Sequence, residues 1–315
     1  MKNFLKHIIL FSIPLWLVVL FVWIIDPVNY WGYNNIIPQE LKNTVLSSYA
    51  GTDMIKQGEI KKIFFRSCSK DCNCWIIGDS RTAPISVEYV DSLSKGSWYN
   101  MGLAGCYTRS AVSSFFWMLE NSSNKPKMIY WGHNFWSANY KDYFIQIEDY
   151  GETLLTYITS SFTWKLIYNT MKTNNYHKKI NSIGEVEMWS EVINRKRADI
   201  KNEHIRVQPI IYELIDSVSH YCERYDIRLI HVYPPEYKDL LAIIQSDSIT
   251  NAEYQKYLDH LSQYEFYNFN QGHWIESSND FVDPMHPKNH VYNNMIDSIF
   301  ITKYDFVNSD TLQLL

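Results

Sequence analysis

The sequence predicts an α/β fold built on a mostly parallel sheet, preceded by one membrane-length apolar helix. Three observations lead there. Short apolar runs that stop at glycine, asparagine or proline recur between residues 74 and 270. Segments with apolar residues at three- and four-residue spacing separate them. Residues 8–25 form one long run without a charged side chain. Short buried strands alternating with helices are the pattern of a sheet covered on both faces. With 46% apolar and 20% charged residues, the 315-residue chain has the means to build a core and is not a disordered polymer. A net charge of −5 argues against nucleic acid as the partner. No repeat of solenoid length is visible.

The apolar run reads IILFSIPLWLVVLFVWII. Eighteen residues at ~1.5 Å rise reach ~27 Å, close to the hydrocarbon thickness of a bilayer. Lys2 and Lys6 precede it, Asp26 ends it, and Tyr30 and Trp31 follow where an aromatic belt falls. Basic residues before a first span hold that end in the cytoplasm. The expectation is a single-pass protein anchored in the cytoplasmic membrane through residues 8–25, with its domain outside the cytoplasm. A cleaved signal peptide is the rival, but its apolar region is shorter and ends in small residues, which WIIDPVNYW does not offer.

The expected strands are residues 74–80, 97–102, 127–134, 227–235 and 264–270. Helices are expected at 109–119, at about 205–222, where Ile211, Leu214, Ile215, Val218 and Cys222 make one stripe, and at 289–301 with Pro287 in its first turn. The domain plan is an anchor at 1–30, a connector at 31–67, and one domain at 68–315 interrupted by a Tyr-, Asn- and Lys-rich insertion at about 135–204. Cys68, Cys72 and Cys74 cluster before the first strand. Outside the cytoplasm Cys68 can form a disulfide with one of the other two; zinc is the competing use, without a visible fourth ligand.

The chemistry gathers at strand ends. Gly78-Asp79-Ser80-Arg81 closes the first strand, and in an open parallel sheet ligands bind beyond the carboxyl ends of the strands. A serine there, at a helix start, has its hydroxyl beside backbone N–H groups that can hold an oxyanion. Asp283-Pro284-Met285-His286 lies near the other end of the chain. A serine hydroxyl needs a base, and the base needs a partner to set its tautomer; an aspartate and a histidine on one loop supply both. Gly102 and Gly105 follow the second strand, and either can bring a backbone N–H to a ligand. Gly132-His133-Asn134 follows the third, where the Asn134 amide can donate one more hydrogen bond. Arg81, His133 and Trp136 are further candidates for substrate contact. His286 and His290 sit four apart, but Pro287 places His286 before the helix and no third metal ligand is evident, so no metal is expected.

The four blocks, in order, resemble the SGNH (GDSL-type) hydrolase superfamily: GDS, a glycine, G-x-N and D-x-x-H. The resemblance implies a flavodoxin-like three-layer α/β/α domain over roughly residues 75–300. It implies Ser80 as nucleophile and oxyanion donor, Gly102 or Gly105 and Asn134 as the other donors, His286 as base and Asp283 as its orienting acid. Phe135 stands where the family's third block has an aspartate. With its anchor and its GDSR block, the chain is similar to membrane-tethered members such as the teichoic acid D-alanyl transfer and polysaccharide O-acetylation proteins. That implies a serine esterase or O-acyltransferase acting on a cell-surface glycan, needing no cofactor, fed by an acyl donor and served by a membrane acyl-export protein. A non-catalytic scaffold or glycan-binding protein on the same fold is the alternative.

Overall fold

The structure, a computed structural model, describes residues 2–26, 58, 61, 62, 64–66, 68–138, 158, 159, 161–172 and 185–301. In chain order the elements are α1 (Lys2–Ile25), β1 (Cys74–Ile77), α2 (Val87–Ser94), β2 (Trp98–Asn100), α3 (Thr108–Asn121) and β3 (Met128–Gly132). Then follow α4 (Ser161–Lys172), α5 (Glu185–Asn202), α6 (Pro209–Arg224), β4 (Arg228–Tyr233), α7 (Lys238–Gln245), α8 (Ser248–Leu261) and β5 (Phe266–Asn268). A ribbon of β6 (Phe281–Asp283) and β7 (His286–Pro287) precedes α9 (Asn289–Phe300). The chain divides into two compact units, residues 1–67 with 147–181, and residues 68–146 with 182–315.

In the first unit, α1 is helical over 24 residues, with Pro14 inside it. Leu15, Trp16 and Leu17 are all at least 59% exposed. Three successive residues sweep about 200° of a helix, so the apolar surface is not confined to one face. Among the described residues no helix is long and apolar enough to cross a membrane. Phe21 of α1 stacks on Trp164 of α4, ring centroids 6.2 Å apart.

The second unit holds a five-stranded, all-parallel sheet in the order β2-β1-β3-β4-β5. That is the flavodoxin-like order, whose direction of winding reverses beside β1 and β3. Strand side chains alternate between two covered faces. Cys74, Ile76, Tyr130, Ile230 and Val232 face a core closed by Val291, Tyr292, Met295, Ile296 and Ile299 of α9. On the other face Trp75 meets Phe115 of α3 edge-on at 6.4 Å, and Phe115 meets Tyr221 of α6. Every residue of β1 is buried, which is why it reads as an unbroken apolar run rather than an alternating one.

All five expected strands are present, each shorter than its apolar run because the flanking Gly, Asn and Pro residues turn the chain. One expectation is corrected at α9. Pro287 belongs to β7, Lys288 caps the helix, and the helix begins at Asn289. The expected insertion is largely outside the described residues; within 135–204 the chain forms a short 3-10 turn (Phe135–Ser137), α4 and α5.

Candidate active site

Ser80 follows β1 on a tight turn. Gly78 has φ +143°, and a Cβ there would come within 2.8 Å of the Gly132 carbonyl oxygen. Only glycine lets the ends of β1 and β3 approach this closely. The Asp79 carbonyl accepts from the Thr82 N–H at 3.0 Å, the Ala83 N–H at 3.2 Å and the Thr82 hydroxyl at 2.8 Å, tightening the turn under Ser80. A helix does not start at the serine, contrary to the sequence expectation. Pro84 disfavours helical backbone at Ala83, and α2 begins only at Val87, capped by the Ser86 hydroxyl.

Across the sequence, β6 and β7 pair antiparallel, with Asp283 opposite His286. Pro284 and Met285 make the turn between them. The D-x-x-H spacing is therefore that of two residues facing each other across a tight hairpin. His286 Nε2 lies 2.8 Å from Ser80 Oγ, and His286 Nδ1 lies 2.7 Å from Asp283 Oδ2. Asp283 Oδ1 accepts the amides of Met285 (2.8 Å) and His286 (3.1 Å). The Tyr237 N–H donates to the Pro284 carbonyl at 2.8 Å and ties the hairpin to the start of α7. Burial pushes the Asp283 carboxyl up, but the hydrogen bond and charge of His286 and the two amides outweigh it and hold the group below its ordinary value. The His286 side chain is 33% exposed and that of Asp283 9%, so the imidazole alone opens toward solvent.

The remaining candidates separate into two groups. Asn134 Nδ2 donates to Asp79 Oδ2 at 2.6 Å, and its Oδ1 accepts the Trp136 amide at 3.0 Å. This brings the third block against the first and leaves the second amide hydrogen of Asn134 for another acceptor. The Gly102 amide donates to Asn100 Oδ1 at 2.8 Å, and a Cβ at Gly102 would meet Thr82 Oγ1 at 2.4 Å. Gly102 thus serves the packing of the loop. Gly105 sits at the exposed tip with φ +68°.

Arg81, His133 and Trp136, the further candidates for substrate contact, are all buried. Arg81 is 0% exposed, and His133 and Trp136 are 2% exposed. Arg81 Nη1 pairs with Glu236 Oε1 at 2.6 Å, its Nη2 donates to the His133 carbonyl, and its Nε and amide reach Asp79 at 3.4 and 2.9 Å. Burial works against the guanidinium charge, but Asp79 and Glu236 more than offset it and hold the group above its ordinary value. Trp136 Nε1 donates to Glu236 Oε2 at 2.9 Å. His133 bonds His231 at 2.8 Å and Tyr257 at 3.2 Å. Glu236, 0% exposed and absent from the sequence-derived candidates, is the far anchor of this clamp. Its signal was present: it is an acid directly past the carboxyl end of a strand, in Tyr233-Pro234-Pro235-Glu236.

Among the described residues no group of three or more His, Cys, Asp or Glu could hold a metal ion. Cys68 and Cys72 share one turn, the Cys72 amide donating to the Cys68 carbonyl at 3.0 Å, and their thiols hydrogen-bond each other. Cys74 is buried in β1.

No family model matches the chain, and no curated protein matches it. Solved structures similar to it include a Streptococcus pneumonia protein described as a platelet activating factor, at 13% identity and TM-score 0.39 over 82% of this chain and 97% of that one. A Bacteroides fragilis protein described as an acylhydrolase is similar at 14% identity and TM-score 0.34, over 72% and 83%. A GDSL-like lipase from Bacteroides thetaiotaomicron is similar at 12% identity and TM-score 0.34, over 72% and 84%. Likenesses this distant do not bear on the chemistry of the site.

Proposed function

We propose that this chain is a serine acyl-ester enzyme of the SGNH kind, a hydrolase or acyltransferase. The observation that carries the reading is the unbroken hydrogen-bonded series Ser80, His286, Asp283 at 2.8 and 2.7 Å. In it, Ser80 Oγ attacks the acyl carbonyl and gives its proton to His286 Nε2, while Nδ1–H stays bonded to Asp283. The oxyanion is held by the Ser80 amide, the Asn134 side-chain amide and the Gly105 amide; Gly105 is assigned because the Gly102 amide is committed to Asn100. His286 then returns the proton to the leaving alkoxide. Water or a glycan hydroxyl attacks the acyl-serine by the reverse steps.

The location and substrate are part of the same proposal. α1, apolar around its circumference, anchors the chain in the cytoplasmic membrane with residues 8–25, and Lys2 and Lys6 keep its start inside. The domain then faces cell-surface glycans, and an acyl donor reaches it from the membrane, through an acyl-export protein. Incubating the full-length chain with an activated acetyl ester, with and without oligosaccharide acceptors, tests this. Acetate release or acetylated sugar, lost in Ser80→Ala, supports the reading, and the product ratio separates hydrolase from transferase. A folded wild type no more active than Ser80→Ala refutes it and favours a non-catalytic scaffold.

A further inference from the structure

Beside the hairpin that carries Asp283 and His286 lies an open groove of about 420 Å³, within the range of small-ligand sites. Its walls include Trp274, Asp280, His290, Asn294, Asp297 and His273. Asp280 is three residues before Asp283, and His290 is four residues beyond His286, in the first turn of α9. His290, Asn294 and Asp297 recur at four- and three-residue spacing on α9. They share one face and extend the groove about 10 Å away from the triad's histidine.

The lining has a definite chemistry. Trp274 is half-buried and braced edge-on by Phe269 at 4.9 Å, which gives a fixed aromatic wall. Asp280 Oδ1 meets His290 Nε2 at 2.9 Å, and Asp297 Oδ1 accepts the Tyr89 hydroxyl at 2.7 Å. Both carboxylates are thus oriented through one oxygen and present the other. Asn294 adds a donor and an acceptor, and no Lys or Arg is among the lining residues. A flat aromatic face beside several oriented acceptors matches the apolar face and the ringed hydroxyls of a pyranose. Two carboxylates without a cation repel an anionic ligand.

We propose that this groove is a subsite for a neutral glycan chain, holding the polymer alongside the Ser80–His286 centre. The inference rests on the reading of the chain as a glycan-directed acyl enzyme, but binding here needs no reaction. The two therefore fail separately.

The test titrates full-length Ser80→Ala, kept in a zwitterionic detergent, with chitotetraose, cellotetraose and tetragalacturonate, by calorimetry. At least one neutral probe gives a saturable isotherm with Kd of roughly 1 mM or tighter, and the uronate gives none. The pair Asn294→Arg and Asp297→Asn, introduced separately, weakens that binding at least tenfold without changing the thermal midpoint. Exposed or half-exposed positions on α9 are used because Trp274→Ala removes a packing partner of Phe269 and can unfold the region. No neutral binding, binding indifferent to both variants, or equal binding of the uronate overturns the proposal. Reactivity of Ser80 in the wild type is read independently, so its loss counts against the enzyme reading and leaves the groove result standing.

Discussion

The side chains that matter most do different physical work at similar distances. Asp283 is held ionised by His286 and two amides, so its task is to fix the imidazole with Nδ1–H inward. Asp283→Asn keeps the shape and reverses that tautomer. We expect ester turnover to fall by ~10³–10⁴ in kcat with KM little changed, measured by steady-state kinetics. Arg81 has no access to substrate and acts by position: it ties the serine turn to the third block and to Glu236. Arg81→Met leaves two carboxylates buried without their cation and should cost about 3–5 kcal/mol in urea unfolding. His133 and His231 add a pH dependence of stability. Burial lowers both, His133 well below its ordinary value and His231 to about 3. The unfolded chain takes a proton near pH 6.5, whereas folded His231 does not until about pH 3. Their contribution is therefore complete above about pH 6.5 and is lost as the pH falls toward 3, at ~1.4 kcal/mol per pH unit per group. His231→Gln should flatten the slope of unfolding free energy against pH between 6 and 4.5 by about that amount; an unchanged slope would remove His231 as a source.

The elements explain what the sequence could and could not disclose. β1, β3 and β4 are legible because both faces of each are covered and an apolar run is the result. The Ser80, Gly102 and Asn134 blocks are legible because they sit just past β1, β2 and β3. The β6–β7 ribbon is not, since strands of three and two residues, joined through Pro284 and ending in Pro287, carry no period; only the D-x-x-H spacing betrays it. α8 buries Thr250, Tyr254, Tyr257 and Leu261, and a stripe made largely of Thr and Tyr does not announce itself as apolar. Choosing Gly105 over Gly102 required the Asn100 contact, a side-chain orientation two residues from Gly102 that motif logic does not see. At this scale, Gly105→Ala puts a Cβ on a left-handed residue and should cost ~1–2 kcal/mol, with kcat falling further than that strain implies if its amide serves the oxyanion. Asn134→Ala should lower kcat by ~10²–10³. Gly102→Ala, by contrast, should damage folding yield first, because its Cβ clashes with Thr82 and Ala83.

For the whole molecule, a flavodoxin-like sheet order puts the ends of β1 and β3 at its reversal point, and the serine and the Asn134 amide sit there. The hairpin brings the base from 206 residues away. That assembly was readable in outline because each block keeps its own strand end. What the sequence could not supply was the burial of Arg81, His133 and Trp136, since a charged or polar side chain near a site reads the same whether it faces ligand or a partner 155 residues distant. The proposed anchoring makes its own prediction: the full-length chain should stay with membranes through alkaline carbonate washing, and recovery in the soluble fraction would contradict it. The central claim is an activated Ser80, and the most direct measurement is fluorophosphonate labelling of the full-length chain followed by intact mass. One adduct on the wild type, absent from Ser80→Ala and strongly slowed in Asp283→Asn, is the predicted result. A folded wild type that takes no label, or a Ser80→Ala chain that labels equally, would contradict it.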